Sequence, residues 1–227
     1  MKQCSLILLI LAGGLAAWGI VGCQNRSETP SPAPAAAASS ASGTSSTATA
    51  SPATPVTDNS SALPGMQTTE APWPPQISQL QDRLGMMGLP ALRREGTELH
   101  IHQHLDLFIN GKTVSVPPMV GINMVAGFIA PVHTHDGSGV IHIESPIVNR
   151  YTLGQFFDIW GVRLTQTCLG AYCNTGDKAL RVFVNGAAVT TNPREIELTN
   201  DQEIVVTYGA ESELPKPMPS TFKGPTT

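Results

Sequence analysis

Charged side chains are scarce in this chain, and the basic ones are not grouped. Lys, Arg, Asp and Glu make up 13% of the 227 residues, and the formal net charge is −4 at pH 7. The sequence has no stripe of lysine or arginine, which is the electrostatic footprint of a nucleic-acid-binding surface. We therefore do not expect nucleic acid as a partner.

The sequence also lacks a clear membrane-spanning helix. An uncharged apolar run over residues 6–21 follows Lys2. It is short for a spanning helix, which needs about 20 predominantly apolar residues, and it has the length of a secretory signal. The run ends at Ile20-Val21-Gly22-Cys23, which resembles the lipobox of bacterial lipoproteins.

This resemblance implies that residues 1–22 are a signal peptide and that Cys23 becomes a lipidated first residue. The lipid would anchor the protein to the cell membrane or the outer membrane, outside the cytoplasm. Gln24 follows, without an aspartate beside the cysteine, and this resembles outer-membrane sorting in a two-membrane cell. A plain N-terminal anchor and an ordinary secretory signal are the alternatives.

Cysteine is rare, with four in the whole chain. Cys4 leaves with the signal and Cys23 carries the lipid, so Cys168 and Cys173 remain. In an oxidising compartment a local disulfide between them is favoured. A thiolate metal pair or a redox pair fits less well, because both motifs commonly leave two residues between the cysteines.

Residues 23–75 have almost no charge and few large apolar side chains, and they consist mainly of Ser, Ala, Thr and Pro. Such a segment cannot bury enough surface to offset its ordering entropy, so it predicts a disordered tether. The proline-containing residues 211–227 predict a similar tail. Residues 76–210 are left as one globular domain of ordinary size.

The pattern of this domain predicts an α+β fold, with a strand-rich, mainly antiparallel sheet and two short helices. Helical spacing of apolar residues predicts a helix over 76–88, and a capping box at Thr152 begins the second. Asn110-Gly111 and Asn185-Gly186 predict two hairpins. Strands are expected at 98–109, 112–116, 129–135, 140–144, 180–184, 194–199 and 203–208.

All six histidines lie between residues 100 and 142, and they alternate with other residues. They form three segments, which are His100, His102 and His104, then His133 and His135, and finally His142 followed by Glu144. Residues two apart on a strand project from the same face, so these imidazoles should stand side by side. Leu105 and Leu107 should face the core instead.

A transition-metal site needs several such donors at about 2.0–2.2 Å from one ion. Two His-x-His pairs on neighbouring strands would supply four nitrogens. The predicted ligands are His102, His104, His133, His135, His142 and Glu144, and Asp136 would either ligate or orient a ligand histidine. His100 is left out, because the outer two of three alternating residues lie about 13 Å apart.

Imidazole-rich sites suit zinc, copper, nickel and iron, and zinc and Cu(II) are the leading candidates for this site. The histidine segments contain no Met or Cys, which weakens a dedicated Cu(I) site, although Met119 and Met124 lie in the intervening loop. Protonation near pH 6.5 would repel a bound ion, so affinity should fall as the pH drops through that region. A metal-free, pH-sensitive surface and a chance clustering are the alternatives.

Residues 133–146 read HTHDGSGVIHIESP and residues 153–161 read LGQFFDIWG. With the two Asn-Gly hairpins and the closing EIVVTYG over 203–209, they resemble an uncharacterised family of exported or membrane-anchored prokaryotic proteins. The resemblance covers about residues 98–209. It implies the domain limits and an exported location, but the family has no assigned activity and supplies no mechanism.

The sequence shows no Ser-His-Asp elbow, His-Glu-x-x-His helix or phosphate-cradling glycine loop. His-x-His with a later glutamate resembles a cupin site, but Glu144 lies nine residues after His135 rather than four or five. We therefore expect a metal binder for scavenging, buffering or delivery. The alternatives are a metal-dependent envelope enzyme, with Glu144 or Asp136 as general base, and a metal-free module for an envelope protein partner.

Overall fold

The computed structural model describes residues 62–225. The predicted signal peptide, Cys23 and most of the predicted tether lie outside the described residues. Between residues 62 and 225, no helix is long and apolar enough to cross a membrane.

The described part of the chain is rich in short strands. They are β1 (Leu99–Ile109), β2 (Lys112–Val114), β3 (Ile122–Asn123), β4 (Phe128–Ile129), β5 (Val132–His133), β6 (Val140–Ser145), β7 (Cys168–Leu169), β8 (Tyr172–Cys173), β9 (Ala179–Val184), β10 (Ala187–Val189) and β11 (Gln202–Gly209). The α-helices are α1 (Leu80–Met86) and α2 (Leu153–Trp160), and 3-10 helices occupy Pro193–Glu195 and Glu211–Glu213.

Seven strands form the main sheet in the order β10-β9-β11-β1-β6-β5, with β2 also paired to β1. The β1–β11 pair is parallel, and the other pairs in this sheet are antiparallel. Two small antiparallel hairpins, β3–β4 and β7–β8, lie outside it. The predicted α+β fold with a mainly antiparallel sheet is confirmed.

Both predicted Asn-Gly turns join antiparallel strands. Asn110 and Gly111 have φ values of 50° and 74°, and Asn185 and Gly186 have 49° and 79°. Two consecutive positive φ values give a turn whose twist matches that of the flanking strands, and Asn and Gly adopt them most easily. The turns connect β1 to β2 and β9 to β10, as the sequence predicts.

Helix α2 begins and ends where its sequence indicates. The Thr152 side chain accepts a hydrogen bond from the Gln155 N–H, and the Gln155 side chain accepts one from the Thr152 N–H. Gly161 ends the helix with φ of 80°. Its aromatic residues Phe156, Phe157 and Trp160 are fully buried, so they serve the core.

The N-terminal helix is shorter than the predicted range of 76–88, because α1 covers only Leu80–Met86. Trp73 comes from the last part of the predicted tether. Its ring is buried and packs edge-on against Trp160, whose indole N–H donates to the Trp73 carbonyl at 3.1 Å.

The predicted strand over 194–199 is wrong. Pro193–Glu195 forms a 3-10 helix, which the Asn192 side chain caps by accepting the Arg194 N–H at 3.1 Å. Proline at the first position favours such a start, since its missing N–H would have no partner there. Arg194 then makes a two-armed ion pair with the buried Asp158 of α2, which fixes this segment against the helix instead of the sheet.

Candidate metal centre

Strand register brings three histidine segments together on one face of the sheet. His100 lies opposite Glu144 and His102 opposite His142 in the β1–β6 pair, while His133 lies opposite His142 in the β5–β6 pair. Directly opposed residues have Cβ atoms about 4.5–5.5 Å apart, which is close enough for side chains to share a ligand. His142 on β6 therefore lies between donors from β1 and β5.

One group of possible metal ligands spans β1 and β6, and we call it the strand site. It consists of His100, His102, His142 and Glu144, whose ligand atoms all lie within 4.8 Å of one another. Glu144 Oε1 is 3.2 Å from His100 Nε2 and 3.4 Å from His142 Nδ1. The His102 ring packs edge-on against both other rings, with centroid distances of 4.9 and 4.6 Å.

A second group, the loop site, includes residues at and beyond the end of β5. It consists of Glu95, His133, His135 and Glu144, whose ligand atoms again all lie within 4.8 Å of one another. Glu95 Oε1 is 3.6 Å from His135 Nε2, and Glu144 Oε2 is 3.8 Å from His133 Nε2. Glu144 belongs to both sites.

Glycine lets the chain carrying Glu95 approach the sheet. A Cβ atom on Gly96 would lie 2.1 Å from the Pro146 nitrogen, so only glycine fits there. The Gly96 N–H donates to the Glu144 carbonyl at 3.3 Å. This contact places Glu95 beside the end of β6.

His133 is oriented by a hydrogen bond on the ring nitrogen that faces away from the site. Its side chain is fully buried, and Nδ1 lies 3.0 Å from the Ala130 carbonyl oxygen, to which it can only donate. Nδ1 then carries the proton of the neutral ring, and Nε2 keeps its lone pair toward the site. Partners of this kind fix the tautomer of metal-binding histidines.

His133 Nε2 lies 3.1 Å from His135 Nε2. Two nitrogens bound to one tetrahedral zinc at about 2.0–2.1 Å would be about 3.3 Å apart. The two imidazoles are therefore already near the spacing that a shared ion requires.

Two buried polar atoms of the centre have no hydrogen-bond partner within residues 62–225. They are His142 Nδ1 and Glu144 Oε2. Leaving such an atom unsatisfied costs about 1–3 kcal/mol, and more for a charged group. A bound cation would satisfy both.

Burial holds these histidines neutral. Burial, followed by the nearby His135, lowers the pKa of His133 to about 3. Burial and the same neighbour lower the pKa of His142 to about 4, and burial with the neighbouring His100 lowers the pKa of His102. Neutral imidazole is the form that binds metal, so protons compete with an ion at His133 and His142 only well below the pH 6.5 expected from the sequence.

Glu144 lies in an environment that disfavours its charge. Burial, together with the nearby carboxylate of Glu95, raises the pKa of Glu144. A cation between the two carboxylates would remove this penalty, since opposite charge favours the ionised form.

His104 points to a different partner from the one expected. Its Nδ1 lies 3.0 and 3.1 Å from the two carboxylate oxygens of Glu203, and its Nε2 lies 2.9 Å from the Ser138 carbonyl oxygen. The hydrogen bond to Glu203 is the main cause that raises the pKa of His104. With Asp106 and Glu203 it forms a third possible ligand group, separate from the other two.

Asp136 is in none of the three groups. Its side chain accepts the Ser138 N–H at 2.9 Å and so closes the turn between β5 and β6. Hydrogen bonding to the Ser138 side chain, followed by the bond from the Ser138 N–H, lowers the pKa of the exposed Asp136 carboxyl. Its place in the structure is in the turn, from which its carboxylate interacts electrostatically with His142 and His135.

The sequence missed four residues of these groups, namely His100, Glu95, Asp106 and Glu203. The sequence excludes His100 as a ligand because one ion cannot reach both His100 and His104, but in the structure His100 faces Glu144 on β6. Glu203 faces His104 through the parallel β1–β11 register, and Glu95 arrives from a loop. No spacing within one segment signals either carboxylate.

An open cavity of about 640 Å³ borders the loop site. Glu95 and His135 form part of its wall, with Arg93 and Arg94 on the same segment and the β3–β4 hairpin opposite. The side chains of His135 and Glu95 are 41% and 51% exposed. The loop site is therefore open to solvent on this side.

Cys168 and Cys173 form the predicted disulfide, which is confirmed. They lie opposite each other in the β7–β8 hairpin, and Arg163 donates to the Cys173 sulfur at 3.2 Å. Neither cysteine belongs to a possible ligand group among the described residues.

Comparison with models of protein families, with curated proteins and with solved structures finds no match to this chain. Its function therefore has to be argued from the geometry of its own residues.

Proposed function

We propose that this protein binds a transition metal ion, zinc or copper, through its histidine cluster. The observation that carries the proposal is the His133–His135 pair, with two Nε2 atoms 3.1 Å apart and His133 Nδ1 held by the Ala130 carbonyl. Orienting a buried ring from behind in this way is the usual arrangement around a metal-ligating histidine. Glu144 and Glu95 complete a four-donor set.

The donors favour zinc or Cu(II) over other ions. Imidazole nitrogen suits both, whereas calcium and magnesium require oxygen ligands. No cysteine belongs to a ligand group between residues 62 and 225, so the thiolate ligands that favour Cu(I) are missing from these groups.

The proposed role is scavenging, buffering or delivery of this ion outside the cytoplasm. It depends on the resemblance of Ile20-Val21-Gly22-Cys23 to a lipobox, with lipid on Cys23 as the anchor. The Cys168–Cys173 disulfide supports the oxidising compartment, since disulfides persist mainly there. Labelling of cells with a radioactive fatty acid, compared between the natural chain and Cys23→Ser, tests the anchor.

Metal binding is tested with the full chain purified in detergent and stripped with a chelator. Titration with zinc and with Cu(II) by calorimetry should show tight binding and a rise in melting temperature, because an ion that binds only the folded state stabilises it. His133→Ala and His135→Ala should each weaken binding of an ion at the loop site at least tenfold. His104→Gln, a histidine outside the two sites that share Glu144, is the matched control and should bind normally.

If neither ion binds at millimolar concentration, the metal proposal fails. The sheet face then becomes the surface of a metal-free module, and an envelope protein would be its partner. Circular dichroism of each variant separates loss of the site from loss of the fold.

The cavity beside His135 favours one further candidate function, which is hydrolysis by a metal-bound water. An ion in the loop site would face the cavity, where Arg93 and Arg94 would attract an anionic substrate. For this reaction the exposed Glu95 would give up its position to a water, whose pKa zinc would lower to about 7, so that it could act as a nucleophile at neutral pH. Release of nitrophenolate from bis(4-nitrophenyl) phosphate by the zinc-loaded chain, abolished in His135→Ala, would support it. If the zinc-loaded chain is inactive, the hydrolytic function is overturned and only the metal-binding role remains.

A further inference from the structure

Glu144 is the one residue that the strand site and the loop site have in common. Its side chain is 6% exposed and lies at the sheet face between them. Each carboxylate oxygen faces a different site. Oε1 lies 3.2 Å from His100 Nε2 and 3.4 Å from His142 Nδ1, whereas Oε2 lies 3.8 Å from His133 Nε2.

Each site has enough donors for its own ion. The strand site offers three imidazoles and one carboxylate oxygen, and the loop site offers two imidazoles and two carboxylates. Zinc in a protein usually takes four ligands. If each site uses one oxygen of Glu144, each has four ligand atoms, and no histidine nitrogen is shared between the two sites.

The unsatisfied polar atoms of the centre lie in different sites. Three buried side-chain atoms have no hydrogen-bond partner in residues 62–225. Gln103 Oε1 lies outside the centre, while His142 Nδ1 belongs to the strand site and Glu144 Oε2 is directed toward the loop site. One ion in each site would give both of these atoms a ligand contact. Buried polar atoms are nearly always paired in folded proteins, so this division indicates two occupants.

Two divalent ions so close together would repel each other, and the carboxylates reduce that repulsion. Paired metal ions in proteins lie about 3.5–4 Å apart. A carboxylate with one oxygen on each ion supplies negative charge between them, and Glu95 adds a second negative charge at the loop site. The neutral imidazoles add no positive charge.

From this geometry we propose that the centre is dinuclear, with one transition metal ion in each site and Glu144 as the bridging carboxylate. The inference rests on the proposed metal-binding function and specifies its stoichiometry and its ligands. It also gives His100 and Glu95 a role, as terminal ligands of the strand-site and loop-site ions.

Stoichiometry of the full, chelator-stripped chain tests the proposal. Zinc titration should reach two ions per chain by calorimetry and by elemental analysis after desalting. His100→Ala and His135→Ala remove one exposed ligand from different sites, so each variant should retain one tightly held ion. Glu144→Gln keeps the shape of the side chain but removes the charge, and it should weaken binding of both ions at least tenfold.

Two control variants test whether the number of bound ions depends on the proposed ligands alone. Glu98→Gln removes an exposed carboxylate on the segment of Glu95 and should still bind two ions. His104→Gln should also bind two, and a third ion lost in that variant would belong to the group with Asp106 and Glu203.

Copper gives a direct view of the bridge. Two Cu(II) ions about 3.5–4 Å apart couple magnetically, so the loaded chain should show the electron paramagnetic resonance of a coupled pair. His100→Ala should show an isolated Cu(II) signal instead.

The outcomes separate the two proposals. One ion per chain, lost in both single-ligand variants, would overturn the dinuclear centre but keep the metal-binding function. Two magnetically uncoupled ions, or a Glu144→Gln variant that weakens only one of them, would overturn the bridge. Absence of any binding would overturn the function itself.

Discussion

The Nε2 atoms of His133 and His135 face each other at 3.1 Å, with their rings almost perpendicular at 82°. His133 has its proton on Nδ1, which donates to Ala130, so its Nε2 can only accept. One particle must lie between the two nitrogens, either the Nε2 proton of His135 or a metal ion. Metal binding at this pair therefore displaces a proton from a hydrogen bond that already has the right length.

The metal-free protein should lose stability in acid. Burial lowers the pKa of His133 to about 3 and that of His142 to about 4, so the unfolded chain binds protons from about pH 6.5 downward that the folded chain does not. The free energy of unfolding then falls as the pH drops from about 6.5 to 4. The raised pKa of Glu144 acts in the opposite direction, because its contribution is largest below its ordinary pKa and is lost as the pH rises.

The measurement is thermal unfolding of the chelated chain between pH 7 and pH 4, where we expect a drop on the order of 10 °C. His142→Gln should show a shallower drop. His104→Gln should differ from the natural chain below about pH 6.5 and approach it at high pH, because Glu203 raises the pKa of His104. Identical slopes in all three chains would contradict this account.

Gly121 should be necessary for the position of His133. Its φ is 78°, and a Cβ atom there would lie 2.7 Å from the Val132 carbonyl oxygen and 3.1 Å from His133 Cβ. Gly121→Ala should therefore weaken zinc binding and lower the free energy of unfolding by about 2–4 kcal/mol, measured by calorimetry and urea unfolding. Gly88→Ala is the matched control, because Gly88 also has a positive φ, 68°, but a Cβ atom there would meet no other atom within 4 Å. This variant should lower the free energy of unfolding by only about 1 kcal/mol and should bind zinc normally.

Removal of the disulfide should affect stability but not the metal centre. Cys168 and Cys173 are five positions apart, and closing so short a loop contributes about 2 kcal/mol through the unfolded chain. The double variant Cys168→Ser, Cys173→Ser should lose about that much in urea unfolding and keep its zinc affinity. A loss of zinc binding would instead make the two sulfurs metal ligands, which was the alternative from the sequence.

Arg194 should be far more important to the fold than Arg150. Arg194 and Asp158 have side chains 19% and 5% exposed, and they are joined by two contacts of 3.1 and 2.6 Å. Arg194→Met would remove two charge-assisted hydrogen bonds from the buried Asp158 carboxylate and should cost about 3 kcal/mol. Arg150 pairs with Glu197 at the surface with 78% of its side chain exposed, so Arg150→Met should cost less than about 1 kcal/mol. Equal costs in chemical unfolding would contradict the structure.

Local sequence signals predicted the parts of this fold that depend on neighbours along the chain. The Asn-Gly turns, the capping box at Thr152 and the alternation along β1 each involve residues within four positions of one another. The strand predicted over 194–199 does not form, because the pairing of Arg194 with Asp158 holds this segment against α2. That contact joins residues far apart in the chain, and no pattern within the segment signals it.

The same difference between local and long-range signals explains which properties of the histidines the sequence could predict. Alternation correctly indicated which face of β1 they occupy, but it treats His100 and His104 alike. Their difference comes from the neighbours of β1, because β6 places Glu144 beside His100 and the parallel β11 places Glu203 beside His104. Strand order is decided by packing of the whole domain, so the sequence could propose the cluster but not divide it.

Strand β5 forms the end of the main sheet opposite β10, and only Val132 and His133 pair with β6. Strand β1, by contrast, is hydrogen-bonded on both sides. Short edge segments open more readily than central strands. The two sites should therefore exchange ions at different rates, with the loop site releasing its ion to a competing chelator in a fast phase and the strand site in a slow one. A protein that both stores and passes on metal needs one labile and one durable position, and the unequal anchoring of two strands provides them.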